Sequence, residues 1–164
     1  MLEIKPFEHS DWPEIERIYQ EGIETNQATF ETKAPEWEAF DASHLSICRL
    51  KGVQKSRIVG WAALSPVSSR AAYAGVAEVS IYVSMPLRGG GIGSALMEKV
   101  VELSEANGIW TLYASTFPEN KESLRLQKKF GFRVVGRRER IAKHHGVWRD
   151  TIITERRSKT VGLD

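Results

Sequence analysis

The residues best suited to chemistry lie close together, between Glu78 and Leu103. Arg88-Gly89-Gly90-Gly91-Ile92-Gly93 sets a guanidinium beside a run of glycines. Just before it, Val79, Ile81 and Val83 alternate with Glu78, Ser80 and Tyr82, the period of a strand with two distinct faces. Just after it, Ile92, Leu96, Val100 and Leu103 recur at steps of three or four, one face of a helix. Backbone without side chains can approach a ligand closely, and the free N–H groups at a helix start point toward it, so the expected ligand is an anion. Glu78 leads into this turn on the same face as Ser80 and Tyr82. Burial among apolar neighbours would raise its pKa toward the range of a general base, so it is the candidate catalytic residue, with an ammonium contact as the other role open to it.

The pattern excludes two common anion sites. A dinucleotide fingerprint needs G-x-G-x-x-G, but a register starting at Gly89 ends on Ser94 and one starting at Gly91 ends on Leu96. A P-loop needs a lysine directly after its last glycine, and the first lysine here is Lys99. What remains is Arg88-x-x-Gly91-x-Gly93 directly after a strand.

The elements that must position this stretch read as follows. Leu2 to Phe7 is a first strand; Ser10-Asp11 with Pro13 and Glu14 starts a helix running to about Thr25 on the apolar stripe Ile15, Ile18, Tyr19, Gly22 and Ile23. Residues 26–32 read as a loop and 35–40 as a short helix. Leu45 to Leu50 and Arg57 to Leu64 are expected as a hairpin around the polar stretch from Lys51 to Ser56. The irregular segment from Ser65 to Gly75 leads into the strand that carries Glu78. Beyond the helix stop at Asn107-Gly108 come a strand from Ile109 to Ala114 and a helix opened near Pro118 to Ser123 and ended by Gly131. A strand from Phe132 to Arg138, a turn at His144-His145-Gly146 and a closing strand from Val147 to Thr154 complete the order. The fold class is α/β in the α+β sense: one mixed domain over residues 1–164 with a largely antiparallel sheet, fraying from about 157.

Composition narrows the function classes. The 164 residues suit one domain of ordinary globular make-up, with 41% hydrophobic and 27% charged residues. A net charge of +2 gives nucleic-acid binding no support. The lone Cys48 excludes an intrachain disulfide and a cysteine metal cluster, and it reads as a small hydrophobe in a strand. The adjacent His144 and His145 make a poor zinc site, so no metal is expected. No apolar run reaches membrane-spanning length, and Met1 to Lys5 lacks the layout of a signal peptide, which makes the cytoplasm the default compartment.

Four motifs, in order, resemble the GCN5-related N-acetyltransferases, most closely the phosphinothricin acetyltransferase branch, which includes methionine sulfone and sulfoximine acetyltransferases. They are Arg70-x-x-Tyr73 followed by Glu78-x-x-x-Tyr82-Val83; the glycine turn; Asn120-x-x-Ser123-Leu124 before Gly131-Phe132; and Lys143 to Asp150, similar to K-H-G-x-W-x-D with one additional histidine. The resemblance spans almost the whole chain and implies direct acetyl transfer from acetyl-CoA to the α-amino group of an amino-acid-like acceptor. It implies that Ile81, Tyr82 and Val83 hold the pantetheine amides and polarise the thioester. Arg88, Gly89, Gly90, Gly91, Ile92, Gly93 and Ser94 would grip the pyrophosphate, and Asn120 the pantetheine arm, with Ser123 helping there or capping its helix. Ser68, Ser69, Arg70, Tyr73, Glu78, Val79 and Ser80 would contact the acceptor, Arg70 by a bidentate grip on its carboxylate or phosphinate. A homodimer with its interface near the acceptor site is implied as well. Where the family often has His or Tyr, this chain has Gln127, which cannot deliver a proton. By register His145 matches the family histidine. The alternatives are acetylation of another small amine or a protein N-terminus, or a CoA-binding module without activity.

Overall fold

The computed structural model describes residues 1–164. Seven strands form one sheet in the order β1-β2-β3-β4-β5-β7-β6. They are β1 (Leu2–Pro6), β2 (Leu50–Gln54), β3 (Arg57–Pro66), β4 (Val76–Val83), β5 (Thr111–Thr116), β6 (Arg133–His144) and β7 (Val147–Arg157). The helices are α1 (Trp12–Glu24), α2 (Trp37–Ser43), α3 (Ile92–Ala106) and α4 (Lys121–Lys129). All neighbouring strands are antiparallel except β4 and β5, which α3 connects. Apolar cores cover both faces. Ile15, Ile18 and Phe40 of α1 and α2 pack on Trp61 and Ala63; Leu96, Met97 and Val100 of α3 pack on Ala62, Leu64, Leu112 and Ala114 on the other side. From Gly60 onward the even and odd positions of β3 serve different layers, which is why Trp61 to Leu64 is apolar without alternation.

The first expected hairpin is displaced. Of Leu45 to Leu50 only Leu50 lies in a strand, as the first residue of β2: one bond joins Leu45 N–H to Leu64 O (2.8 Å), after which the chain turns at Cys48 (φ 59°). The Arg49 guanidinium takes the Leu45 and His44 carbonyls at 2.8 and 3.0 Å, so local side-chain bonds replace the ladder there. The stretch read as a polar turn is instead β2, paired on both edges, and the reversal is confined to Lys55-Ser56 with φ of 50° and 60°. Two residues with positive φ are the tight hairpin turn that matches strand twist.

At the other end, β6 continues through His144, and the reversal is His145-Gly146, again with positive φ. His144 is thus a buried strand residue rather than part of the tip. The residues expected to fray are also held: Ser158 is buried, its Oγ donates to Glu105 Oε1 (2.9 Å), and it accepts the N–H groups of Thr160 and Val161.

Candidate active site

The parallel junction of β4 and β5 is short. Val76, Ala77 and Glu78 register with Thr111, Leu112 and Tyr113, and the two strands then part. From Val79 onward β4 pairs only with β3, so its other edge offers unpaired backbone groups to the gap. The gap opens into a cavity of about 960 Å³, lined on one side by Glu78 to Val83 and on the other by Ala114 to Phe117. That is the top of the range for a single small-molecule site, room enough for two substrates meeting end to end.

One end of the cavity is an anion cradle. Gly91 caps α3 with φ 83°, a left-handed conformation that an L side chain resists, and Gly89 adopts φ 80°. The first helical N–H with a partner is that of Ala95, bonded to Gly91 O at 3.1 Å, which leaves the N–H groups of Ile92, Gly93 and Ser94 free at the positive end of the helix. Arg88 lines the same end, its Nε 3.5 Å from Val83 O. Lys129 lines it too and donates to Ser94 Oγ (3.1 Å), a cation the sequence reading did not single out. Gly90 stays outside the lining and spends its N–H on Leu87 O (3.3 Å).

The wall opposite β4 comes from α4. Asn120 is its N-cap, accepting the Ser123 N–H at 3.2 Å, so the capping role falls to Asn120 and not to Ser123. The Ser123 hydroxyl instead meets Gln127 Nε2 (3.0 Å). Gln127 is buried and fully used: its Nε2 also donates to Thr116 Oγ1 (2.8 Å) and its Oε1 accepts from Thr154 Oγ1 (2.8 Å). This amide ties α4 to β5 and β7, a bracing role that explains a residue with no proton to deliver.

The other end of the cavity is a polar chamber beneath α1. Glu78, Ser80 and Tyr82 stand opposite Ser65, Ala63 and Trp61 in the β3 register, on the face toward α1 and α2. The Tyr82 ring lies between Tyr19 (4.8 Å) and Trp61 (4.8 Å), in space that exists because Gly22 has no Cβ, which would come within 2.6 Å of the ring. Burial holds the Tyr82 phenol protonated well above its usual range. Burial, then the charges of Glu31 and Glu78, pushes Tyr19 up to about 12. Burial likewise raises the Glu78 pKa, while the Arg138 charge pulls against it. Neither Glu78 nor Arg138 forms an ion pair, although neighbours do: Arg137 pairs with Asp150 and Arg133 with Glu155. His44 lines the chamber, and its Nδ1 lies 2.9 Å from Phe40 O, which fixes the proton there and leaves Nε2 as an acceptor.

Of the expected site residues, Glu78 to Val83, Arg88, Gly89, Gly91 to Ser94, Asn120 and Ser123 line this one cavity. Ser68, Ser69, Arg70 and Tyr73 do not. Their segment runs past the end of β3 on the surface, where Ser68 Oγ accepts the Arg70 N–H (3.2 Å) and Tyr73 is about half exposed. Tyr19, Glu31, His44 and Thr151 line the cavity unforeseen. Ser65 does as well, and only its place directly opposite Glu78 in the hairpin could have flagged it.

A sheet split beside a glycine-started helix, with an ionisable carboxylate at the head of the split, is what the resemblance to the N-acetyltransferases leads one to expect. The acetyltransferase (GNAT) family model matches residues 7–132, and the chain belongs to that family of enzymes. It is 28% identical to the phosphinothricin N-acetyltransferase of Streptomyces coelicolor, over 94% of this chain and 95% of that one. It is 26% identical to the L-methionine sulfoximine/L-methionine sulfone acetyltransferase of Pseudomonas aeruginosa, over 78% and 70%. Among solved structures, a GNAT superfamily phosphinothricin acetyltransferase from Sinorhizobium meliloti in complex with AcCoA superposes with a TM-score of 0.86 and 26% identity, covering 99% of this chain and 96% of that one. No helix is long and apolar enough to cross a membrane, and no group of three metal-ligating side chains occurs.

Proposed function

We propose that this protein transfers the acetyl group of acetyl-CoA to the α-amino group of an amino acid or analogue of the phosphinothricin or methionine sulfone type, by direct attack in a ternary complex. The observation that carries this reading is the open edge of β4, running from Glu78 at one end of the cavity to the α3 cradle at the other. The free N–H groups of Ile92 to Ser94, with Arg88 and Lys129, suit a pyrophosphate. The unpaired edge from Ile81 to Val83 suits pantetheine amides added as a further strand, and the Asn120 amide reaches the same channel. Glu78 takes a proton from the acceptor ammonium; its raised pKa makes it a better base near neutral pH than an exposed glutamate. A backbone N–H on the open edge near Val83 supports the charge that gathers on the thioester oxygen as nitrogen attacks. The acceptor lies over Val79 and Ser80, with Ser68, Ser69, Arg70 and Tyr73 at its outer edge.

A homodimer places its interface near this end, where Tyr73, Ile141, Val147 and Trp148 expose apolar surface. The setting is the cytoplasm, where acetyl-CoA is available. The test is release of free thiol from acetyl-CoA with a panel of amino acids, sulfones, sulfoximines and phosphinothricin. Acetylation of at least one panel member is expected. Tight acetyl-CoA binding with no turnover by any of them would instead favour a binding module or another class of amine.

A further inference from the structure

The chamber beneath α1 holds an imidazole that the transfer step leaves unused. His44 lines the cavity and stacks on the Phe40 ring (3.9 Å), which itself packs on Trp61 (5.6 Å), so His44 stands on the sheet face toward α1 and α2. Ser65 shares that face, four residues along β3 from Trp61. The bond from Leu45 N–H to Leu64 O (2.8 Å) brings His44 alongside Ser65, and Ser65 registers with Glu78 in β4. His44, Ser65 and Glu78 therefore form a row across the strands, all three lining the cavity. The ends of that row are two strand spacings, roughly 10 Å, apart.

The surroundings of His44 set which nitrogen offers a lone pair. Nδ1 lies 2.9 Å from Phe40 O and 2.9 Å from Ser43 Oγ, and that hydroxyl donates to the same carbonyl (3.1 Å), so both neighbours of Nδ1 are acceptors. The ring hydrogen is on Nδ1, and Nε2 carries the lone pair. Burial holds the imidazole pKa below its ordinary value; the Phe40 bond opposes this and the Arg49 charge adds to it, so the ring is neutral at neutral pH. Arg49 also clamps the backbone here, donating to the His44 and Leu45 carbonyls (3.0 and 2.8 Å) while it pairs with Asp41. Every hydrogen bond of the imidazole within the protein is made by Nδ1. Nε2 is an oriented, neutral and unspent acceptor at the end of the row away from Glu78.

We propose that His44 Nε2 is a specificity-determining contact: it accepts a hydrogen bond from an N–H or O–H at the far end of the substrate amine, whose nitrogen sits at Glu78. Two hydrogen bonds of about 2.9 Å and an amino acid the length of methionine span the row. This rests on the acetyl-transfer reading and deepens it, because it separates two acceptor types of one shape. A sulfoximine carries an N–H that Nε2 accepts, whereas a sulfone presents only oxygens, whose lone pairs face the nitrogen's own. A site built around a substrate hydrogen bond rejects the analogue that lacks the donor.

The test compares methionine sulfoximine with methionine sulfone. The wild type is expected to favour the sulfoximine in kcat/KM by about ten-fold, through KM rather than kcat. His44→Phe keeps a ring stacked on Phe40 without a lone pair, and the ratio should fall close to one. A readout independent of turnover, and of how His44→Phe folds, is the wild-type imidazole itself. The chain has four histidines, few enough for each to be assigned by ¹⁵N-histidine labelling. With CoA bound in place of acetyl-CoA, His44 is expected as the neutral Nδ1–H tautomer at neutral pH, its Nε2 resonance moving when methionine sulfoximine is added and far less with the sulfone. An Nε2–H tautomer, an imidazolium at neutral pH, a wild-type ratio near one, or an unchanged ratio in folded His44→Phe overturns the contact even if acetylation is observed. If nothing in the panel is acetylated while the Nε2 resonance still moves with the sulfoximine, the transfer reading falls and the contact stands.

Discussion

The two halves of the cavity are made of different material. The half proposed for the cofactor is largely backbone drawn from one continuous stretch, the open β4 edge and the left-handed turn into α3, with α4 as its wall. The half proposed for the acceptor is side chains from many places: Tyr19 of α1, Glu31 of the following loop, His44 at the end of α2, Ser65 of β3, Glu78 of β4 and Thr151 of β7. A backbone site tolerates exchange of side chains but not of dihedral angles, whereas a side-chain site can be retuned one residue at a time. One half can therefore hold a constant cosubstrate while the other changes its acceptor.

The sharpest test of that division is Glu78→Gln. Loss of a general base lowers the rate by about 10²- to 10⁴-fold, and because Glu78 stands at the head of the split, acetyl-CoA affinity by titration calorimetry is expected to stay at the wild-type level. A matching loss of acetyl-CoA affinity would break the comparison, and an intact rate at neutral pH would show that Glu78 is only an ammonium contact. Stability should move the opposite way. The folded-state pKa of Glu78 lies above its unfolded value, so its contribution to stability is present below the unfolded pKa and lost as pH rises through the folded one. The uncharged Gln escapes that loss. Glu78→Gln is expected to melt above wild type at neutral pH, with the advantage vanishing in acid where both forms are neutral.

A smaller effect is expected from the other half. Gly91→Ala meets no neighbouring atom within 4 Å, so its cost is conformational: an alanine at φ 83° loses about 1–2 kcal/mol. That loss divides between a lower melting temperature and acetyl-CoA affinity weakened by up to about ten-fold as the α3 N–H groups shift. The acceptor KM, measured at saturating acetyl-CoA, should not change. If it rises instead, the halves are coupled through the α3 start.

How far the sequence discloses each half follows from the same distinction. The cofactor half is legible because its determinants are local: alternation from Val79 to Val83, glycines where φ is positive, and helical steps from Ile92 to Leu103 all fall within a few turns of chain. The order of strands and helices is legible for the same reason. The acceptor half depends on long-range register. Nothing near Tyr19 announces that Gly22 will admit the Tyr82 ring beside it, and nothing in His144-His145 says which imidazole faces inward until the tight turn is assigned to His145-Gly146. The misplaced β2 has a comparable cause. Leu45 to Leu50 has strand composition, but the Arg49 side chain captures its carbonyls, and the glycine in Leu50 to Gln54 disguises a strand paired on both edges.

The finest test concerns which cation serves the acceptor half. Arg70 sits on the surface segment beyond β3, whereas Arg138 stands across from Thr151 and is the one cation whose charge offsets the burial of Glu78. Removing that charge lets burial act unopposed. The Glu78 pKa rises further, so the deprotonated base is reached only at higher pH. Arg138→Ala is therefore expected to move the acidic limb of the kcat/KM profile upward, with the pH-independent plateau little changed. Arg70→Ala should leave the limb where it is and act, if the acceptor's outer edge is as proposed, only on the acceptor KM. A shift of the limb by Arg70→Ala and none by Arg138→Ala would mean that acceptor binding rearranges the segment after β3 against Glu78. The acceptor half would then be completed by movement of that segment, not by the fixed register of β6 and β7.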